Sequence, residues 1–221
     1  VGDGGSFSIG GGTRIQPSDN LSIQVMPNYS VSRSGDQYVT ATGTLPYAPT
    51  FGTRYLFADL EQRSFSMDTR VDWTFSPTLS LQLYAQPLLS SGDYLRYKQL
   101  DESRTYDFRT FAPGTGQVVG GEVLCSSEIC DLDGTQHLDF DGDGVADHSF
   151  ADRDFNVRSL VGNLVLRWEY RPGSTIFLVW QRRQADRARV GDFDFGRDWG
   201  ALFDVPADDR FIVKVNYWLG V

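Results

Sequence analysis

Residues 64–86 read SFSMDTRVDWTFSPTLSLQLYAQ, two alternating runs joined by Ser76-Pro77-Thr78. In the first run Phe65, Met67, Val71, Trp73 and Phe75 share one side of a two-residue period, with Thr69 among them. Ser64, Ser66, Asp68, Arg70, Asp72 and Thr74 take the other side. In the second run Leu79, Leu81, Leu83 and Ala85 oppose Ser80, Gln82, Tyr84 and Gln86. Successive side chains of a strand point to opposite faces, so both runs read as strands with one oily and one mostly polar face.

The signature continues on both sides of this pair. Leu21, Ile23, Val25, Pro27, Tyr29 and Val31 alternate with Ser22, Gln24, Met26, Asn28 and Ser30. Leu160, Leu164, Leu166, Trp168 and Tyr170 alternate with Asn163, Arg167 and Glu169, and Phe211, Val213, Val215, Tyr217, Leu219 and Val221 with Lys214 and Asn216. The run from Phe7 to Ile15 is weaker, interrupted by Gly10, Gly11 and Gly12, and Thr175 to Arg183 is apolar on both sides before turning polar. Seven strands are expected, at 6–15, 21–32, 54–75, 79–96, 155–170, 175–185 and 210–221.

Three connections are short and rich in turn residues: Gln16 to Asn20, Ser76 to Thr78, and Arg171 to Ser174. Three are long, at 33–53, 100–154 and 186–208, and short and long strictly alternate. That is the layout of a transmembrane barrel, with tight periplasmic turns on one rim and extracellular loops on the other. A soluble antiparallel sheet alternates as well. Three features favour the membrane: strands long enough to cross a bilayer, aromatics collected near the short turns (Trp73, Phe75, Trp168, Tyr170, Tyr217, Trp218), and charges on the polar face that suit a wet lumen. The expected fold is therefore all-β: an antiparallel up-and-down transmembrane β-barrel, or its C-terminal portion. Residues 1–221 form one domain, with 100–154 an acidic extracellular insertion. Seven strands cannot close a bacterial barrel of even strand number, so at least one further N-terminal strand of a longer chain is expected.

The net charge of −9 argues against sequence-independent nucleic-acid binding. It is concentrated in one place. Residues 101–154 hold 13 Asp/Glu against 3 Arg, a net of −10, while the other 16 acids and 17 bases come to +1. Inside this stretch Asp139, Asp141, Asp143 and Asp147 stand at positions 1, 3, 5 and 9 of a calcium-loop spacing. Gly144 is at position 6, and the Val145 carbonyl is available at position 7. Carboxylates so spaced converge on a hard cation, and the spacing resembles the start of an EF-hand, dockerin or thrombospondin-repeat loop. The bidentate acid of position 12 is absent, since Phe150 stands there, with Asp152 and Asp154 slightly beyond. The expectation is a structural calcium ion that stiffens a long loop otherwise lacking regular structure, against a plain solvated acidic loop.

Cys125 and Cys130 are expected to form a small loop-stapling disulfide, as in an exported protein. Zinc completed by His137 and His148 would fit no standard ligand spacing. Both histidines lie in the acidic stretch, and no nucleophile motif occurs, so no catalytic residue is assigned. The carboxylate pair Asp192 and Asp194 is what an acid-rich loop produces by chance. The aromatic segment Gly191 to Asp204 reads first as a loop packing on itself, and second as a stacking surface for sugars.

Several separated blocks resemble, in order, a known family: LQLYAQP at 81–87, RSL at 158–160, VLRWEYRPGST at 165–175, VWQ at 179–181, GDF at 191–193, LFD at 202–204 and YWLG at 217–220. They are similar to the C-terminal barrel of domain-of-unknown-function family 5916, from about residue 50 onward. The resemblance implies a long exported bacterial protein in which a carbohydrate-binding family-9-like module precedes the barrel, and it implies no reaction. The expected function is an outer-membrane barrel segment acting as pore, transporter or surface anchor, with its loops extracellular. Lipid is the expected partner and glycans a further one. The competing class is a soluble or fibre-forming, calcium-dependent adhesion module folded as a β-sandwich.

Overall fold

The computed structural model describes residues 4–219. Gly220 and Val221, the end of the last expected alternation, lie outside the described residues. In chain order the strands of the first half are β1 (Gly5–Gly10), β2 (Thr13–Ser18), β3 (Leu21–Thr42), β4 (Arg54–Ser76) and β5 (Leu79–Leu100). Six short strands follow: β6 (Phe108–Thr110), β7 (Pro113–Val119), β8 (Glu122–Cys125), β9 (Ile129–Leu132), β10 (Thr135–Leu138) and β11 (His148–Ala151). Then come β12 (Phe155–Arg171), β13 (Ser174–Ala188), helix α1 (Phe195–Asp204) and β14 (Asp208–Asn216).

The long strands form one antiparallel meander in the order β1-β3-β4-β5-β12-β13-β14. β2 pairs with the first residues of β3 and β1 with later ones, so the two lie end to end as one interrupted strand. The break falls at Gly11 and Gly12, between them. All seven expected strands are thus present as neighbours in chain order. The chain is all-β with antiparallel pairing in this sheet, and the sheet is open, with β1/β2 at one edge and β14 at the other.

Some of the long strands overshoot the expected lengths. β3 runs to 22 residues, taking up about half of the connection expected at 33–53, and β5 to 22, while β4, at 23, matches its expected span within one residue and β14 stops at Asn216. The polarity of the two faces exchanges along them. On β4 one face carries Phe75, Trp73, Val71, Met67 and Phe65 and then turns charged at Arg63, Glu61 and Asp59. The other face is polar from Thr74 to Ser64 and then turns apolar at Leu60, Ala58 and Leu56. Register shifts between Ser34 and Gln37, between Tyr38 and Thr40, and opposite Arg96, whose φ is 47°, let the neighbours follow this exchange.

The new apolar face is covered. Leu56, Ala58, Val39 and Tyr97 pack with Phe111, Ile129 and Leu138 from the 100–154 stretch. That stretch is not irregular, as expected, but a second small sheet of order β11-β10-β9-β7-β8, with β6 extending the end of β5. Only at this upper level is the opposite face double-layered. Cys125 and Cys130 are joined as a disulfide at the β8–β9 link, with Cα atoms 5.5 Å apart.

Candidate functional sites: an apolar belt, a docked helix and an acidic loop

The face carrying Phe65 and Trp73 is continuous across the sheet. One hydrogen-bonded row reads Ile15, Ile23, Val71, Leu83, Leu164, Trp180 and Phe211. The next row toward the short turns reads Leu21, Trp73, Leu81, Leu166, Leu178 and Val213. Large side chains of this belt stand open, among them Phe7, Ile9, Trp73, Phe75, Trp168, Leu178, Phe211 and Val213. Near the short turns Trp73 meets Phe75 at 4.3 Å between ring centroids and Trp168 meets Tyr170 at 6.1 Å. Tyr217 accepts a hydrogen bond at its hydroxyl from Arg171 at 2.8 Å.

Above the belt the same face becomes ionic. Arg33 and Arg63 both hold Glu61, the first at 3.0 Å. Arg158 pairs with Asp186 at 3.0 Å, and Arg182 with Asp209 at 3.5 Å. The belt's opposite face keeps the expected polar groups, held mostly by close neighbours: Asp68 accepts from Tyr84 at 2.7 Å and Gln86 at 3.0 Å, and Arg167 bonds Glu169 two residues along its own strand.

The aromatic segment that read as a loop contains α1. Asp194 caps it, its carboxylate accepting from the Arg197 amide at 2.8 Å. Asp198 and Leu202, one turn apart, are fully buried against the sheet. Asp198 accepts from Asn156 at 2.9 Å and from Arg197 at 2.9 Å. Burial pushes the Asp198 carboxyl up, but the hydrogen bonds from Arg197, Asn156 and the Asp194 amide outweigh it and hold it below the usual carboxylate range. Asp192 is taken by Arg197 as well, at 3.0 Å. The Asp192/Asp194 pair is therefore a helix-capping and salt-bridging group. The signal for the helix was the spacing of Phe195, Trp199 and Phe203 behind an Asp cap.

In the acidic loop, carboxylate oxygens of Asp139, Asp141 and Asp147 lie within 4.8 Å of one another. Asp139 is nearly buried, its two oxygens accepting from the Gly142 and Gly144 amides at 2.6 and 2.8 Å. Both glycines take the left-handed backbone, at φ 81° and 89°, which wraps the loop around the carboxylate. Asp147 accepts from the Phe140 amide at 2.7 Å. Asp143 does not join this trio; its carboxylate accepts from the Val145 amide at 2.8 Å. Val145 makes a bridge to Leu124, which ties the loop to β8.

Asp152 and Asp154, the stand-ins for the missing position-12 acid, are engaged elsewhere. Asp154 accepts from the Tyr94 amide at 2.7 Å, and Asp152 from the Tyr97 hydroxyl at 3.3 Å. Burial pushes Asp154 up to about 6, helped by the charges of Asp152 and Asp93 and opposed by the Tyr94 amide. His148 stacks on Phe140 at 6.4 Å, and burial lowers its pKa.

No curated protein and no solved structure matches the chain. Residues 128–221, which run from the edge of the β8–β9 link through α1 and β14, match a family described as a domain of unknown function, DUF5916. The LQLYAQP block at 81–87 lies ahead of that stretch. Over this C-terminal stretch the chain is thus similar to the domain of unknown function DUF5916.

Proposed function

We propose that the seven-strand sheet is part of the wall of an outer-membrane β-barrel, serving as a pore, transporter or surface anchor. The observation that carries this reading is the belt and the slope of its upper limit. On β4 the belt spans ten residue steps from Phe65 to Phe75. At a rise of about 3.3 Å per residue and a tilt near 45°, that is about 23 Å, close to the ~25 Å apolar band of such barrels. The upper limit passes from Val31 on β3 to Phe211 on β14, whose row meets β3 at Ile23, eight residues lower. Eight residues along the strand, about 26 Å, across five strand spacings, about 24 Å, gives a tilt of roughly 45°. A single plane therefore cuts the apolar–ionic boundary of six strands at the inclination a barrel needs.

On this reading the small sheet packs on the lumen side above the membrane and overhangs the mouth. The first and last strand positions run parallel to each other, six antiparallel steps apart. All-antiparallel closure then takes an odd number of further strands. A soluble sandwich would need a second sheet over the belt, and among the described residues only the α1 segment touches it, at its upper limit. The family resemblance adds glycans as candidate cargo. Heat-dependent gel migration and partition into detergent test the proposal, and a chain that stays monomeric in plain buffer with its belt covered would overturn it.

We further propose calcium as a structural ion of the acidic loop, held by Asp139, Asp141 and Asp147. Three convergent carboxylates suit a hard cation, and the ion would offset their repulsion. Asp143 and the Val145 carbonyl are the added ligands of the loop spacing.

A further inference from the structure

We propose that α1 is an interfacial helix, lying flat in the headgroup layer of the outer leaflet with its aromatic row reaching the acyl chains. This deepens the barrel reading and rests on it. The helix has three distinct sides. Asp198 and Leu202 dock it to the sheet, Gly196, Arg197, Gly200 and Asp204 are exposed and mostly polar, and Phe195, Trp199 and Phe203 form a third row at four-residue spacing. Phe195 and Phe203 are 48% and 53% exposed, although each ring contacts Trp199, at 5.6 and 5.7 Å. Packing within the protein leaves that row half open.

The row sits at one particular height. Phe195 meets Phe65 edge-on at 5.2 Å, and Phe193 meets Tyr29 at 5.9 Å. Phe65 is the last belt residue of β4 before Arg63, and Tyr29 the last but one of β3 before Arg33. The helix therefore lies on the belt face, at the level where apolar gives way to ionic. Its aromatic row meets the belt through Phe195 and Phe65, while Arg197 is paired with Asp192 and Asp198 of its own segment. Aromatic rings and amphipathic helices collect at this depth of a bilayer because one side of each is wet and the other apolar. With Trp73, Phe75, Trp168 and Tyr170 at the short-turn end, the row makes the second of two girdles. Sugar stacking, the other use for such rings, would call for a cleft around them, and Phe195 and Phe203 stand about half exposed.

The test uses the full-length protein in phosphatidylcholine vesicles brominated either near the headgroup or deep in the acyl chain. Tryptophan quenching is read from variants that each keep one of Trp73, Trp180 and Trp199, the other tryptophans being changed to Phe. Trp199 is expected to be quenched about twofold more by shallow than by deep bromines, as for a side chain 5–10 Å below the headgroup boundary. Quenching of Trp73 and Trp180 with none of Trp199 would overturn the interfacial helix and leave the belt standing. Quenching of none would remove both. If a single-tryptophan variant fails to assemble, the difference between the parent and Trp199→Phe supplies the same reading, since that one change should delete the shallow-quenched component.

Discussion

Leu83→Arg is the sharpest probe of the belt. Leu83 lies between Val71 and Leu164 in register, with no charge in its row, four residues from Leu79 and six from Leu89. In the proposed barrel, at about 3.3 Å per residue and a 45° tilt, it would sit roughly 9 Å above one edge of the belt and 14 Å below the other, close to a bilayer's midplane. An arginine there costs about 2–4 kcal/mol, a factor of ~30 to ~900 in the folding equilibrium. Its neighbour Gln82 points to the opposite face, beside Asp72 and Val165. Gln82→Arg places the same charge next to a carboxylate in a wet lumen and should cost under about 1 kcal/mol. Denaturant unfolding of the full-length protein in lipid vesicles, followed by tryptophan fluorescence, compares the two. Equal costs, or a neutral Leu83→Arg, would refute a lipid-facing belt.

Three further outcomes follow from the sites above the belt. Millimolar calcium should slow proteolysis of residues 101–154; Asp141→Asn should abolish that protection while Asp143→Asn keeps most of it, and a reversed order would contradict the convergence seen among Asp139, Asp141 and Asp147. Asp154 titrates near 6 when folded against about 4 when unfolded, so the folded state holds the extra proton between those values and stability falls as pH rises through that window. Asp154→Asn, which can still accept from the Tyr94 amide, should flatten that part of the melting-temperature profile from pH 4 to 6 and raise stability at pH 8. Cys125→Ser with Cys130→Ser opens a loop of five-residue separation and should loosen the small sheet by about 2 kcal/mol, read as faster amide exchange in β7–β9 with the long strands unchanged.

The lower half of the fold was legible because its residues keep one phase. Phe65 to Phe75 and Leu79 to Ala85 alternate without a break and end in residues that force a turn. The upper parts of β4 and β5 were expected as strand, but the exchange of their faces was not legible, because Leu60, Ala58 and Leu56 repeat the period on the wrong side, and bulges at Gly35-Asp36 and Arg96 shift the phase of their neighbours. The small sheet hid in strands of four to seven residues, too short to show a period. In α1 two glycines in ten residues lower the helix propensity, so its aromatics read as a loop. The loop spacing singled out Asp139, Asp141 and Asp147, whose carboxylate oxygens lie together, but spacing alone could not show that Asp143 turns to the Val145 amide.

The exchange of polarity along β4 also fixes how the chain can assemble. In a strand with one oily face throughout, sliding by one residue turns every side chain to the wrong side but in a uniform way, which a partner could in principle match. Here such a slide would press Asp59 and Glu61 against the small sheet and, in the same motion, set Asp68, Arg70 and Asp72 where Phe65 and Val71 belong. Two unrelated environments would reject it at once. The strand works as a ruler with marks of opposite kind at its two ends, and only one alignment satisfies both.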